Sequence, residues 1–372
     1  MFHWLLSHPS TLTAAQEAAC PALLWRALGA LATALLISLA GGHGIIAWLR
    51  RRKVGERTDK TPIEDQKLIA QISAKAGTPT MGGVIILAAL LPAFLLWCDL
   101  TNVYLWLAVG SFVAFAALGM ADDWMKLAGK SHRDRGLKVR HKLIAQGAVG
   151  ALIGIVVWRK AVAAGEVAGI TVPLLRDAAL PLGPLVIVWI ALVVATMSNA
   201  VNVTDGLDGL ATGLSIVSVL SLGALAFWAG IGLLAAPYGL TGSPEAAEAC
   251  VLCAALVGAL TGFLYHNLHP ARVFMGDTGA LAIGGIIGTL AVTLRVDFLL
   301  PLIGFVFLVE FGSSVLQVLW FRATGKRILP ISPVHHIFQQ KGWPETRIVA
   351  GFHLVGWLIA LISLVLLWSV RV

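Results

Sequence analysis

Ten predominantly apolar runs divide this chain, and no other feature limits its fold as strongly. They centre on 23–49, 81–97, 103–121, 143–158, 181–201, 209–236, 250–266, 279–294, 298–321 and 349–370. About 20 such residues cross the hydrocarbon core of a bilayer as a helix. With 58% apolar and only 12% charged residues among 372, a water-soluble fold could not bury so much apolar surface. The expected fold is an all-α polytopic membrane helix bundle, with ten transmembrane helices in one domain spanning 1–372.

Basic residues set the orientation, because Lys and Arg are retained on the cytoplasmic side. The odd-numbered connections hold 21 of them and the other side holds five: Arg159, Lys160, Arg176, Arg295 and Arg371. Odd loops are therefore expected in the cytoplasm and both termini on the periplasmic side. This distribution also accounts for the net charge of +8, so no nucleic-acid partner is expected. The residues before the first run include Glu17 and no basic residue, which does not read as a signal peptide. Segment 165–180, broken by Gly165, Gly169 and Pro173 and carrying Arg176 and Asp177, reads as a small external hairpin or interfacial element. Cys20, Cys98, Cys250 and Cys253 are too scattered for a disulfide framework, and the C-x-x-C at 250–253 reads as a packed helix face.

Five aspartates fall at the cytoplasmic ends of these spans: Asp122 and Asp123 in ADDWMK, Asp205 and Asp208 in NVTDGLDGL, and Asp277 in FMGDTG. Acids kept at a membrane boundary are costly and need a partner. At the C-terminal end of a helix, Asp122 and Asp123 oppose the macrodipole, so local stability does not explain them; Lys126 lies one turn on. Asn202, Asp205 and Asp208 recur every third residue, which on a helix or its last turn places them along one stripe, and Gly206 and Gly209 beside them allow a tight break and close approach of a ligand to the backbone. Asp277 precedes the eighth span, where an acid caps a helix start. Unit charges about 4 Å apart repel by roughly 4 kcal/mol at an effective dielectric near 20, so converging carboxylates need protonation or a cation. Mg²⁺ suits oxygen ligands combined with phosphate. His335 and His336 in SPVHHIF are adjacent and do not share a helical face, which favours bonding to a phosphate or sugar over a two-histidine metal site. Glu310 and Gln317 lie seven apart on one face of the ninth span. The small residues of GTPTMGG could bring backbone N–H groups and Lys75 to an anion.

Together GTPTMGG, ADDWMK, NVTDGLDGL, GFLYHN, FMGDTG, VEFGSSVLQV, SPVHHIF and KGWPE run from 77 to 345. The chain resembles the phospho-N-acetylmuramoyl-pentapeptide transferase (MraY translocase) family, within the polyprenyl-phosphate N-acetylhexosamine-1-phosphate transferase superfamily. The resemblance implies transfer of phospho-MurNAc-pentapeptide from UDP-MurNAc-pentapeptide to undecaprenyl phosphate, giving lipid I and UMP with Mg²⁺ in the bacterial inner membrane. It also implies a ten-helix bundle, often a homodimer, with its site facing the cytoplasm. By motif, Asp277 resembles the Mg²⁺ ligand, Asp122 and Asp123 the catalytic pair, and Asn202, Asp205 and Asp208 residues that contact substrate or assist the metal. Lys75, Thr80, Lys126, Lys142, Asn267, Phe274, Gln317, His335 and His336 match positions lining the nucleotide and phosphate region. There are two departures. Ile337 stands where the family has a third histidine, and the stretch TDKTPIEDQKLIAQISAKAG lacks the histidine usual in the first loop. A transporter would place its acids near the midplane rather than at one boundary, and a scaffold would have no need of converging carboxylates.

Overall fold

The computed structural model describes residues 14–52, 75, 77–128, 136–171, 179–231 and 244–370. Arg176, Asp177, Pro173 and nearly all of the divergent first-loop stretch lie outside the described residues. The long helices are α1 (Ala14–Arg51), α3 (Val103–Ala128), α4 (Val139–Ala163), α5 (Val186–Thr204), α6 (Leu210–Gly230), α7 (Pro244–Asn267), α8 (Gly276–Thr293), α9 (Phe305–Thr324) and α11 (Glu345–Val370). Among the described residues these nine are long and apolar enough to cross a membrane. The second apolar run forms α2 (Gly83–Trp97), whose 15 residues extend roughly 22 Å at 1.5 Å each. A seven-residue helix, α10 (Val334–Gln340), precedes α11.

One non-helical detail agrees with the small hairpin or interfacial element expected at 165–180, and another departs from the expected spans. Residues 169–181 contain an antiparallel pair, β1 (Gly169–Thr171) and β2 (Ala179–Pro181), with Ile170 opposite Leu180. The ninth apolar run is also interrupted: Leu300–Ile303 form one helical turn, Gly304 breaks it, and α9 begins at Phe305.

The core gathers round α8, which packs against α2, α3, α5 and α6. Lipid tails are as apolar as leucine, so helices associate there by close packing, and small residues let backbones approach. α8 follows this rule. A Cβ on Gly285 would overlap the Phe115 ring, and one on Gly284 would overlap the Met197 carbonyl. Its spanning window is 83% buried, against 17% for α9, whose Leu316, Leu319, Trp320 and Phe321 stand exposed. Around this axis α7 packs with α1 and α6, α4 with α5, α9 with α5, and α11 with α6. Because the helices alternate in direction, the C-terminal ends of α3, α5 and α7 and the N-terminal ends of α4, α6 and α8 meet at one end of the bundle.

Candidate active site

At that end the last two turns of α3 present Asp122, Asp123 and Lys126, and the first turn of α4 presents Lys142. Lys142 Nζ lies 2.8 Å from Asp122 Oδ2 and 2.6 Å from Asp277 Oδ2, and Lys126 Nζ lies 2.7 and 3.0 Å from the same two oxygens. Two ammonium groups thus bridge one oxygen of each carboxylate. Asp122 Oδ1 accepts the Leu137 N–H at 2.6 Å, and Asp277 Oδ1 accepts Asn202 Nδ2 at 3.0 Å. Asp123 is turned towards the start of α8, where its oxygens accept the N–H groups of Asp277 and Thr278 and the Thr278 hydroxyl. Asp277 itself sits inside the first turn of α8, not at the cap its sequence position predicts. Asp122, Asp123 and Asp277 each offer an oxygen within 4.8 Å of the others. Three carboxylates set against two ammonium groups leave a formal excess of one negative charge, and an all-oxygen donor set of this kind fits Mg²⁺ or another hard dication.

The turn between α5 and α6 divides the acids of NVTDGLDGL. α5 stops at Thr204, Asp205 follows with φ −78° and ψ 53°, and Gly209 opens α6 at φ +77°. Asn202, Asp205 and Asp208 therefore do not share a helical stripe, because the backbone rotates between them. Asn202 reaches the first nest, and Asp208 enters a second. There Asp208 Oδ1 lies 2.7 Å from Lys75 Nζ, while its Oδ2 meets His269 Nδ1 at 3.0 Å and the Ala271 N–H at 3.1 Å. Glu345 Oε1 accepts both Lys75 Nζ, at 2.7 Å, and the Asp208 N–H, at 2.6 Å. Burial opposes the charge on Lys75, but Glu345 and Asp208 outweigh it and hold the ammonium pKa above its usual value. Phe274 stands 5.7 Å from the same ammonium, ring centroid to Nζ. His269 and Glu345 were not among the residues expected at the site. The only sequence signals for them were Glu345 within KGWPE and a histidine in a loop that already carries FMGDTG.

The two nests share a backbone crosspiece. Phe274 N–H donates to Pro79 O at 2.8 Å, Gly82 N–H to Phe274 O at 2.8 Å and Gly83 N–H to Met275 O at 3.0 Å. The amides of Gly82 and Gly83 are thus bonded to the segment before α8 and are not presented to an anion. Thr80 stands beside Gly276, where a Cβ would come 2.7 Å from the Thr80 hydroxyl.

Asn267 and Gln317 act on backbone. Asn267 Oδ1 accepts the Gly209 N–H and the Thr212 hydroxyl, and its Nδ2 donates to Val273 O. Gln317 Oε1 accepts the N–H groups of Ile328 and Leu329, and its Nε2 donates to Leu329 O. Glu310 is fully buried and holds His335, accepting its N–H at 3.1 Å and pairing with Nδ1 at 3.0 Å. His335 Nε2 is left without a hydrogen-bond partner and faces Gly206, where a Cβ would lie only 2.5 Å away. His336 Nδ1 contacts Gln339 Oε1 at 2.6 Å. Burial, and next His335 beside it, hold the His336 pKa below its usual value.

Residues 105–295 match the model of glycosyl transferase family 4, and residues 75–87 match phospho-N-acetylmuramoyl-pentapeptide-transferase signature 1. The second match covers Lys75 and the whole crosspiece segment 79–83. The chain belongs to the phospho-N-acetylmuramoyl-pentapeptide-transferase family. Relatives bearing that family name include a protein of Granulibacter bethesdensis, 39% identical over 343 residues, and one of Gluconacetobacter diazotrophicus, 40% identical over 344. A third, from Desulfovibrio desulfuricans, is 40% identical over 347 residues, and each alignment covers 92% of both chains. Family membership and the helices together make this a multi-pass bacterial membrane transferase.

Proposed function

We propose that this transferase moves phospho-MurNAc-pentapeptide from UDP-MurNAc-pentapeptide to undecaprenyl phosphate, forming lipid I and releasing UMP at the cytoplasmic face of the inner membrane. The observation that carries the reading is the shared grip of Lys126 and Lys142 on Asp122 Oδ2 and Asp277 Oδ2, with Asp123 alongside. Phosphoryl transfer requires alignment and charge neutralisation more than covalent help from the protein. The relatives' names supply the sugar and peptide, and the basic-residue asymmetry supports ten spans with both termini periplasmic.

In this reading an oxygen of the lipid phosphate attacks the β-phosphorus in line. The new P–O bond forms as the bond from that phosphorus to the bridging oxygen breaks, and UMP leaves with the bridging oxygen. Asp277 and Asp122 would hold Mg²⁺, which when bound offsets negative charge on the diphosphate. Lys126 and Lys142 neutralise the phosphoryl oxygens, and Asn202 orients Asp277. The lipid phosphate is already largely ionised at neutral pH, so Asp122 serves chiefly to place charge. Lys75, Phe274 and Asp208 form the nucleotide end, with Asp205 and Thr80 between the two nests. His336 faces the sugar phosphate with His335 packed behind it against Gly206, and Asn267 and Gln317 frame the site.

The test is UMP release by the purified chain, with UDP-MurNAc-pentapeptide or UDP-GlcNAc as donor and with undecaprenyl phosphate or Mg²⁺ withheld in turn. Release is expected only with the pentapeptide donor, the lipid phosphate and Mg²⁺ together. Equal release from UDP-GlcNAc would overturn the sugar assignment, and none from either donor would overturn the reaction.

A further inference from the structure

Asp122 and Asp123 are chain neighbours, yet their carboxylates meet different groups. Asp122 Oδ2 faces Lys126 and Lys142. Asp123 Oδ1 accepts the Asp277 N–H at 3.2 Å, and Oδ2 accepts the Thr278 N–H at 3.0 Å and the Thr278 hydroxyl at 2.7 Å. The first amides of a helix have no partner within it, and α8 has no side-chain cap of its own, since Met275 occupies its N-cap position. An acid from α3 performs that task across the helix interface, where the positive end of the α8 dipole also favours it. A second contact restrains the same residue from the other side of its peptide unit. Gly119, one turn before Asp123 on α3, lies so close to the Asp277 carbonyl that a Cβ there would overlap it. The N–H and C=O of Asp277 are thus both set by α3, and with them the direction in which its carboxylate leaves α8.

We propose that Asp123 is a positioning residue: an N-cap supplied by α3 to α8 that fixes the Asp277 carboxylate, leaving Asp122 and Asp277 to face the ionic ligands. This rests on the transferase reading above. It divides the labour of an acidic pair whose members look equivalent in sequence.

The test uses the full-length, detergent-purified chain, with Mn²⁺ alone as the probe for binding and with both substrates added only for the turnover measurement. Hydrogen exchange would follow the Asp277 and Thr278 amides, electron paramagnetic resonance would give Mn²⁺ affinity, and UMP release would give kcat and KM. Asp123→Ala is expected to expose both amides to exchange, weaken Mn²⁺ about tenfold and lower kcat, with the KM for the nucleotide donor within about twofold. Asp122→Ala should leave those amides protected. Thr278→Val removes one donor to the cap and replaces no acid, so a smaller loss of Mn²⁺ affinity in the same direction is expected; it also guards against misfolding of the Ala variant. Wild-type exchange at both amides in Asp123→Ala, or unchanged Mn²⁺ affinity despite their exposure, would overturn the proposal. If the wild-type chain binds no Mn²⁺ and releases no UMP, the transferase reading fails on its own, and the exchange data still decide the cap.

Discussion

Two ionic groups sit near opposite ends of the bundle and resolve their charge differently. At the end away from the nests, Arg26 on α1 holds Glu248 on α7 through Nη1 at 2.5 Å and Nη2 at 2.8 Å, and also donates to Trp97 O. Glu248 takes the Asp99 N–H as well, at 2.7 Å. One cation meets one anion, and the guanidinium fork ties α1, α2 and α7 together. At the other end, three acids share two ammonium groups and point oxygens at a common space. The far group is closed and has a structural role, whereas the near group is short of positive charge and can admit a cation. Burial alone does not separate the two; their charge balance does.

The sharpest way to break this comparison is Lys142→Met, which removes the ammonium nearest Asp277. Turnover should fall on the order of 10³-fold while Mn²⁺ binds more tightly, because a competing positive charge has gone. Weaker Mn²⁺ binding would show that the lysine builds the site and does not compete for it. Next in size, Arg26→Met leaves Glu248 nearly buried without its cation, a loss of about 3 kcal/mol in stability. Thermal melting in detergent would measure it, with kcat per folded molecule unchanged. The double variant Arg26→Met, Glu248→Leu should regain much of the melting temperature, and no recovery would mean that the far group does more than balance charge.

Glu310→Gln probes another buried acid, paired with one histidine. Loss of a hydrogen bond to a charged group should cost about 2 kcal/mol, and nitrogen-15 shifts of His335 should report a changed tautomer. The smallest effect concerns His336. Its pKa is lowered in the fold, so the unfolded chain binds more protons once pH drops below its ordinary value of 6.5. Stability should therefore decline as pH falls from 6.5 towards the folded pKa, and His336→Gln should flatten that slope in melts across this range.

The helices were legible because apolar runs of this length have few other solutions. The break at Gly304 was not, since hydropathy continues unchanged through a backbone kink. Asp122, Asp123 and Asp277 could be grouped from the basic-residue count and their place at helix ends. What sequence did not reveal was which acid faces which partner. The period-three spacing of Asn202, Asp205 and Asp208 assumed a helix that stops at Thr204, so residues read as one stripe belong to two nests. His269 and Glu345 escaped notice because only tertiary packing brings His269 to Asp208 and Glu345 to Lys75. The task of Asp123 was hidden for a related reason, since the amides it satisfies lie more than 150 positions away.

The backbone hydrogen bonds that join 79–83 to 274–275 tie together the segment that follows Lys75 and the segment that leads to Asp277. A compound that contacts both Lys75 and Asp277 would have to span this crosspiece. With Lys75 and Asp277 in the roles proposed above, a substitution along the crosspiece that weakens the hold on such a compound would disturb turnover as well.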